Sequence, residues 1–307
     1  MRIIFLGTSA GRPTKARNVT SVALLLDKRN RFWLFDAGEG TQHRLLGSKL
    51  KLNKLDRIFI THLHGDHLYG LPGLLASRSY FEGAGPLKLY GPPGIREYVE
   101  SAFRLSEAHL DYELETIEAE PGMLIEDDQY TVEVRELEHR IRCFGYRVTE
   151  RPSPGRLDLA ALERLGVPFG PLLGKLKRGE DVLLDNGMLV RSSDVTGAPI
   201  KGRAVAFLGD TTPCDDAVVL GKEADLLVHE ATFAPGMEEK ALAYGHSTFR
   251  QAAEIAAQAG AKRLVVTHFS SRFDDEEVER MVDGAKIIFP NIEAAREYAE
   301  IEVAKPK

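Results

Sequence analysis

The chain has 307 residues, of which 43% are hydrophobic and 28% are charged, and its formal net charge is −6 at pH 7. This composition predicts a folded globular protein and excludes a disordered one, while the acidic total argues weakly against a nucleic-acid partner. The only cysteines, Cys143 and Cys214, cannot build a disulfide framework, and the first apolar run, residues 3–6, is too short for a signal peptide. With no apolar window near the roughly 18 residues of a membrane span, we expect a cytoplasmic protein without a membrane partner.

Short apolar runs alternate with helical windows along the chain, a pattern that predicts an α/β fold with mixed sheets. The predicted strands are MRIIFLG, SVALLL, RFWLFDAG, RIFITH, LKLYGP, YTVEVREL, CFGYRV, AVAFLGD, DLLVHEA and RLVVTH. The predicted helices cover residues 41–47, 70–81, 95–105 and 248–259. For the last of these, Ser247 or Thr248 is expected to cap the N-terminus and Gly260 to end the helix.

Residues 151–202 differ from the rest, because RPSPG, GVPFGPLLG, KLKRGED and DVTGAPIKG interrupt every periodic pattern with proline and glycine. The segment is predicted to be an insertion that projects from a single domain spanning residues 1–307. Its part from Arg151 to Arg178 carries six basic residues against Asp158 and Glu163, a local charge of +4. A surface excursion without a role is the alternative interpretation.

The stretch THLHGDH, residues 61–67, places three histidines and an aspartate directly behind the apolar run RIFI. Buried imidazoles without partners lose hydrogen bonds, so this density indicates a metal site. Neutral imidazole and carboxylate groups both suit Zn²⁺. One ion can take His62 and His64, and a second ion can take Asp66 and His67.

Two ions need more than four ligands, and further candidates follow other strand-like runs. His139 follows VEVRELE, Asp210 follows AVAFLG, and His268 follows RLVVT. An aspartate between two ions can bridge them and leave a shared water that ionises near neutral pH. His43 and His109 lack a partner motif and are expected to be ordinary structural histidines.

The HxHxDH motif makes the chain resemble the metallo-β-lactamase superfamily. Further motifs make it resemble, more narrowly, the short form of the ribonuclease Z family, endonucleases that mature the 3′ end of tRNA precursors. These motifs are FLGTSAGRPTKARN, FDAGEGTQ, LGDT, HEAT, GHST and THFSSRF. The resemblance implies an αβ/βα four-layer sandwich, in which two stacked mixed sheets are flanked by helices, with a protruding flexible arm at residues 151–202. It also implies two Zn²⁺ per subunit, the first held by His62, His64, His139 and Asp210 and the second by Asp66, His67, Asp210 and His268.

Three residues are predicted to move or hold protons. Asp66 is expected to accept the proton of the attacking water, as the resemblance implies. His246 of GHST is the candidate that protonates the leaving oxygen, with Glu230 of HEAT keeping it protonated. The alternative is that Glu230 only ties down the following helix and His246 caps it.

Substrate contacts are predicted in two regions by the resemblance. The PxKxRN loop offers Lys15, Arg17 and Asn18 to the acceptor end, with discrimination against a mature CCA terminus; the alternative is a solvated loop. In the arm, GPLLGKLKRG offers Lys175, Lys177 and Arg178 as phosphate contacts of a tRNA-binding exosite. The family also implies a homodimer in which one subunit's arm holds the substrate that the other cuts.

Other functions of the same metal site remain open at the level of sequence. Dimetal relatives hydrolyse thiolesters, lactams, sulfate esters or cyclic nucleotides, some bind two irons and do redox chemistry, and some are RNA-binding scaffolds without a full ligand set. About 50 residues of basic, Pro/Gly-rich insertion favour a polynucleotide substrate. A complete ligand set disfavours the scaffold, but histidine and aspartate do not exclude iron.

Overall fold

The computed structural model describes residues 1–27 and 30–305. Its strands are β1 Arg2–Gly7, β2 Ser9–Ala10, β3 Ser21–Leu26, β4 Arg31–Phe35, β5 Leu55–Phe59, β6 Leu87–Gly91, β7 Leu114–Glu118, β8 Gly122–Glu126, β9 Tyr130–Leu137, β10 Cys143–Glu150, β11 Val182–Leu183, β12 Leu189–Val190, β13 Ala204–Phe207, β14 Leu226–Glu230, β15 Leu264–Thr267, β16 Phe269–Ser270, β17 Ile292–Ala294 and β18 Glu300–Glu302. Its helices are α1 Thr41–Leu46, α2 Gly65–Leu68, α3 Leu71–Arg78, α4 Ile95–Ser106, α5 Leu159–Arg164, α6 Pro171–Lys177, α7 Ser192–Val195, α8 Asp215–Gly221, α9 Glu238–Tyr244, α10 Phe249–Ala259 and α11 Asp275–Ala285, with a 3₁₀ turn at Leu52–Lys54.

The contacts within the chain divide it into two compact units. The first combines residues 1–149 with residues 204–304, and the second comprises residues 150–203 together with Lys305. The predicted insertion, residues 151–202, lies within the second unit. Its role as an arm stays a prediction.

Two seven-stranded mixed sheets form the frame of the first unit, in the orders β18-β1-β3-β4-β5-β6-β7 and β17-β15-β14-β13-β10-β9-β8. Apolar side chains of both sheets meet in one buried cluster, in which the rings of Phe35 and Phe207 stack with centroids 3.8 Å apart. A second cluster packs the outer face of the first sheet against α1, α3 and α4, and a third packs the other sheet against α8, α10 and α11. The four-layer sandwich predicted from the sequence is therefore confirmed.

The four predicted helices are present, with ends shifted by a few residues. For α10 the prediction holds in detail, because Thr248 and Gln251 form a capping box and Gly260 ends the helix at φ 63°. The prediction omits α11, although Asp274 and Glu277 form a capping box there as well. No helix among the described residues is long and apolar enough to cross a lipid bilayer.

The second unit has a small core of its own. Leu162, Leu176 and Val190 belong to a buried apolar cluster built from α5, α6, α7 and the hairpin β11–β12. The sequence pattern alone predicts no regular structure here. The structure shows why: the helices are only 4 to 7 residues long, α6 begins at Pro171, and Asp158 caps α5.

Candidate metal centre

The predicted ligands lie at the ends of strands from both sheets. The HxHxDH turn follows β5, His139 follows β9, Asp210 follows β13, and His268 follows β15. Strands β4 and β5 are parallel, as are β13, β14 and β15, so their carboxyl ends meet at one edge. All seven predicted ligands come together at this edge.

A first group of ligand atoms forms around His64. Its Nδ1 lies 3.1 Å from Nε2 of His62 and 3.2 Å from Nε2 of His139. Oδ2 of Asp210 lies 3.6 Å from Nε2 of His62. These are the four residues assigned to the first ion.

The second group is more compact. Nε2 of His67 and Nε2 of His268 are 3.2 Å apart, and Oδ2 of Asp66 lies 3.3 Å from His268 and 3.6 Å from His67. Oδ2 of Asp210 lies 3.4 Å from His67 and 3.5 Å from His268. The same oxygen of Asp210 thus borders both groups.

These spacings match the edges of a coordination tetrahedron. Metal–ligand bonds of about 2.0 to 2.1 Å place tetrahedral ligands about 3.3 Å apart. The five separations in the second group run from 3.2 to 3.6 Å. The donor atoms are therefore suited to hold a metal ion.

The charges of the centre fit a cation as well. Burial lowers the pKa of His62, His64 and His139, which keeps these rings in the neutral form that binds metals. Burial opposes protonation of His67 too, but Asp210 and Asp36 outweigh it and raise its pKa well above the ordinary value. The same buried carboxylates can compensate a bound dication.

Asp36 is a candidate functional residue that is not among the residues predicted from the sequence. Its Oδ2 accepts hydrogen bonds from Nδ1 of His67, at 2.7 Å, and from Oγ1 of Thr61, at 2.9 Å. Oγ1 of Thr61 in turn lies 3.0 Å from Nδ1 of His62. One carboxylate therefore orients two ligand rings, one directly and one through a hydroxyl. The available signal was its position in FDAGEG, immediately after strand β4.

The rings of His139 and His268 are also oriented by hydrogen-bond partners behind them. Nδ1 of His139 donates to the carbonyl oxygen of Gly245 at 2.6 Å, and Nδ1 of His268 lies 2.9 Å from Oγ1 of Thr232. Asp36 and His268 both adopt a left-handed backbone with φ 59°. Non-glycine residues seldom do so, and such strain of about 1 to 3 kcal/mol is concentrated at functional sites.

The predicted pair Glu230 and His246 is brought together beside the ligands. Nδ1 of His246 lies 2.9 Å from Oε1 of Glu230, which is buried. Burial disfavours the imidazolium, but Glu230 and Asp210 outweigh it and raise the pKa of His246 to about 9. For Glu230, burial is outweighed by His246, and the pKa is lowered. Thr248, not His246, caps the following helix.

The three predicted residues of the PxKxRN loop differ in exposure and in their partners. Arg17 is only 9% exposed; its guanidinium donates to the carbonyl oxygen of Phe273 at 3.0 Å and pairs with Asp275. The charge of Arg17 is therefore engaged in holding the loop, and its contact with substrate stays a prediction. Asn18 is half-buried and donates to the carbonyl oxygen of Glu39 at 2.8 Å, whereas Lys15 is exposed.

The three cations predicted for the second unit are all exposed. Lys175 and Lys177 flank the buried Leu176 on α6, and Arg178 pairs with the exposed Glu180 at 2.8 Å. The unrelated histidines His43 and His109 are exposed and belong to none of the candidate ligand groups of the described residues.

Comparison with known proteins agrees with this geometry. A family model described as "Beta-lactamase superfamily domain" matches residues 175–269, and one described as "Anti-Pycsar protein Apyc1" matches residues 1–141. The chain is 51% identical to ribonuclease Z of Bacillus licheniformis, over 99% of this chain and 100% of that protein. It is 48% identical to ribonuclease BN of an Enterobacter species, over 98% and 99% of the two chains.

A solved structure shows the same relationship. The crystal structure of human tRNase Z, short form, matches with a TM-score of 0.73 and 31% identity, covering 99% of this chain and 100% of that chain. Sequence identity over nearly the whole length and the shared fold lead to one conclusion. The chain belongs to the ribonuclease Z family of endoribonucleases, within the metallo-β-lactamase superfamily.

Proposed function

We propose that this protein is a zinc-dependent endoribonuclease that removes the 3′ trailer from tRNA precursors. It would hydrolyse the phosphodiester bond next to the discriminator nucleotide, leaving a 3′-hydroxyl on the tRNA and a 5′-phosphate on the trailer. The observation that carries the proposal is the double ligand group sharing Oδ2 of Asp210, with the His246–Glu230 pair beside it. The names of the relatives, ribonuclease Z and tRNase Z, support the substrate class.

Two zinc ions per chain are the proposed cofactors. His62, His64, His139 and Asp210 would hold the first ion, and Asp66, His67, Asp210 and His268 the second. Bound zinc lowers the pKa of a water ligand and stabilises negative charge on a phosphoryl oxygen. Imidazole and carboxylate donors at these spacings suit zinc, although iron or manganese also accept them.

Asp66 is proposed to accept the proton of the attacking water. Burial alone would raise the pKa of this carboxyl group, but the hydrogen bond from His268 and the charges of His67 and His268 outweigh it and hold the pKa below the ordinary value. The backbone nitrogen of Gly11 also donates to Oδ2 at 2.7 Å. Asp66 is therefore ionised at neutral pH and fixed in orientation, ready to receive a proton briefly.

His246 is proposed to protonate the departing 3′ oxygen as its bond to phosphorus breaks. An alkoxide is a poor leaving group, and a positioned acid contributes about 10²- to 10⁴-fold. Glu230 holds Nδ1, which leaves the other ring nitrogen for the substrate. His246 also lines a cavity of about 380 Å³ together with His64, Asp66 and Tyr244, so a nucleotide at the metal centre can reach it.

The arm and the dimer complete the proposal. Residues 151–202 would bind tRNA away from the cut, through Lys175, Lys177 and Arg178, whose charges are exposed. Two chains would form a homodimer in which one arm holds the substrate for the other subunit. Sedimentation equilibrium tests the dimer directly, and a monomer at micromolar concentration would contradict it.

Mapping of the cut tests the function as a whole. A tRNA precursor with a 3′ trailer is incubated with the zinc-loaded protein, and the product ends are mapped to one nucleotide. Cleavage after the discriminator nucleotide with the stated ends is expected. No cleavage, together with hydrolysis of a small phosphodiester or aryl sulfate, would favour another dimetal hydrolase. In a separate test, about two irons per chain and little zinc in protein purified gently without added metal would favour a redox enzyme.

A further inference from the structure

Two cavities flank Asp66, and the mechanism above uses only one of them. The first is the cavity lined by His246 and Tyr244. The second, of about 430 Å³, shares His64 and Asp66 with the first and is also lined by Tyr69. The second cavity therefore also borders the metal centre, with a partly different lining.

Tyr69 is the large side chain of this second cavity. It is 66% exposed, and it directly follows helix α2 of the HxHxDH turn. Its ring lies over Gly65, where a Cβ atom would come within 2.1 Å of the ring. The backbone nitrogen of Tyr69 donates to the carbonyl oxygen of Gly65 at 2.8 Å. The ring is thus held beside the ligands, with its surface largely open to solvent.

The chemistry of the proposed cleavage indicates which product lies at which cavity. When the bond between phosphorus and the 3′ oxygen breaks, the tRNA end departs with the proton of His246. The trailer keeps the phosphate through its 5′ oxygen. The tRNA terminus therefore lies on the side of His246, and the first trailer nucleotide leaves the centre in another direction, toward the second cavity.

The lining of the second cavity offers apolar and aromatic surface to a base. The exposed side chains of Arg12 and Glu39 also line it, and their opposite charges offset each other. Pro13 adds apolar surface, and the face of Tyr69 can stack on any base. Building on the proposed function, we propose that Tyr69 is a substrate-binding residue that stacks on the base of the first trailer nucleotide.

The test combines two protein variants with two substrates. Tyr69→Ala and Tyr69→Phe are compared with the wild type on a tRNA precursor and on the same precursor with an abasic first trailer nucleotide. Tyr69→Ala should lower kcat/KM on the normal precursor by about fivefold or more, whereas Tyr69→Phe should stay near the wild type. The abasic substrate should slow the wild type by a similar factor and should slow Tyr69→Ala little further.

Controls separate loss of base stacking from damage to the metal centre or to subunit association. Tyr80, 89% exposed and absent from both cavities, provides the matched variant Tyr80→Ala, which should cleave both substrates like the wild type. Metal content and sedimentation of Tyr69→Ala are measured in parallel. The proposal would be overturned if the abasic substrate lowered the kcat/KM of Tyr69→Ala by the same factor as that of the wild type. Altered subunit association of Tyr69→Ala would also overturn it. Failure of the wild type to cut any precursor would instead reject the proposed function on which it rests.

Discussion

Glu230 joins His246 to the proposed metal ligand His268 through hydrogen bonds. Its Oε1 accepts from Nδ1 of His246 at 2.9 Å, and its Oε2 accepts from Oγ1 of Thr232 at 2.8 Å. The same hydroxyl lies 2.9 Å from Nδ1 of His268. One buried carboxylate therefore orients both the proposed proton donor and a ligand ring.

His246→Ala is expected to lose activity without losing metal. Removal of a positioned acid should lower kcat on a tRNA precursor by about 10²- to 10⁴-fold, because the leaving oxygen is then protonated only by water. Metal per chain, measured by elemental analysis, should stay at the wild-type level. Loss of metal along with activity would make His246 a ligand and would refute this division of roles.

Glu230→Gln should shift the alkaline limit of activity downward. His246 is the active acid only while protonated, so activity falls as pH rises through its pKa, which lies at about 9. Bound metal ions add positive charge and can only lower the pKa of His246. The alkaline limb of the pH profile, where kcat/KM falls, should therefore lie at or below pH 9. Without the Glu230 carboxylate the limb of kcat/KM should move toward the ordinary histidine value of about 6.5. An unmoved limb in a variant with normal metal content would exclude His246 as the acid.

Asp36→Asn should weaken metal binding. The carboxylate holds His67 directly and His62 through Thr61, and loss of such a partner typically costs about 10- to 100-fold in metal affinity. Competition with a chelator measures the change. Asp283→Asn, which alters an exposed carboxylate paired with Lys286, is the control and should bind metal like the wild type. Equal affinity in both variants would show that Asp36 is dispensable for the ligands.

The two arm lysines should affect tRNA binding and not the chemistry. Lys175→Ala combined with Lys177→Ala should weaken binding of a tRNA precursor and reduce the slope of log affinity against log salt by about 2, if each lysine contacts one phosphate. Hydrolysis of a small phosphodiester should be unchanged. The exposed lysines Lys51 and Lys54 of the first unit provide the matched double variant. Equal salt slopes in the two double variants would exclude the arm lysines as phosphate contacts.

Lys15→Ala should reduce discrimination against a CCA terminus. The loop reaches the metal centre through Gly11, whose backbone nitrogen contacts Asp66, and Lys15 is exposed on it. The ratio of kcat/KM for precursors without and with CCA should fall several-fold toward one. Lys51→Ala, also exposed, is the control. An unchanged ratio for Lys15→Ala would exclude this loop cation from the discrimination.

The convergence of the proposed ligands could be predicted because each one lies within a few residues of the end of an apolar strand. Asp210 and His268 are far apart in sequence, but the carboxyl ends of parallel strands meet at one edge, so their convergence follows from the fold. The roles of Asp36 and Arg17 could not be predicted in this way. Burial and hydrogen-bond partners decide both, and neither leaves a periodic signal in the sequence.

The helices also separate into those that the sequence could predict and those that it could not. The helix α10 could be placed from its capping residues and its apolar period. The omitted helix α11 carries the same signals, including buried Val278 and Val282 four residues apart, so that omission could have been avoided. In contrast, the short helices of the second unit depend on a small local core, and their Pro/Gly-rich sequence gives no helical period.

The central claim is that Asp210 lies between two metal ions held by the two ligand groups. Anomalous diffraction at the zinc absorption edge from crystals of the zinc-loaded protein tests it most directly. Two peaks about 3.5 to 4 Å apart are expected, both within bonding distance of Asp210. A single peak, or two peaks without Asp210 between them, would contradict the account.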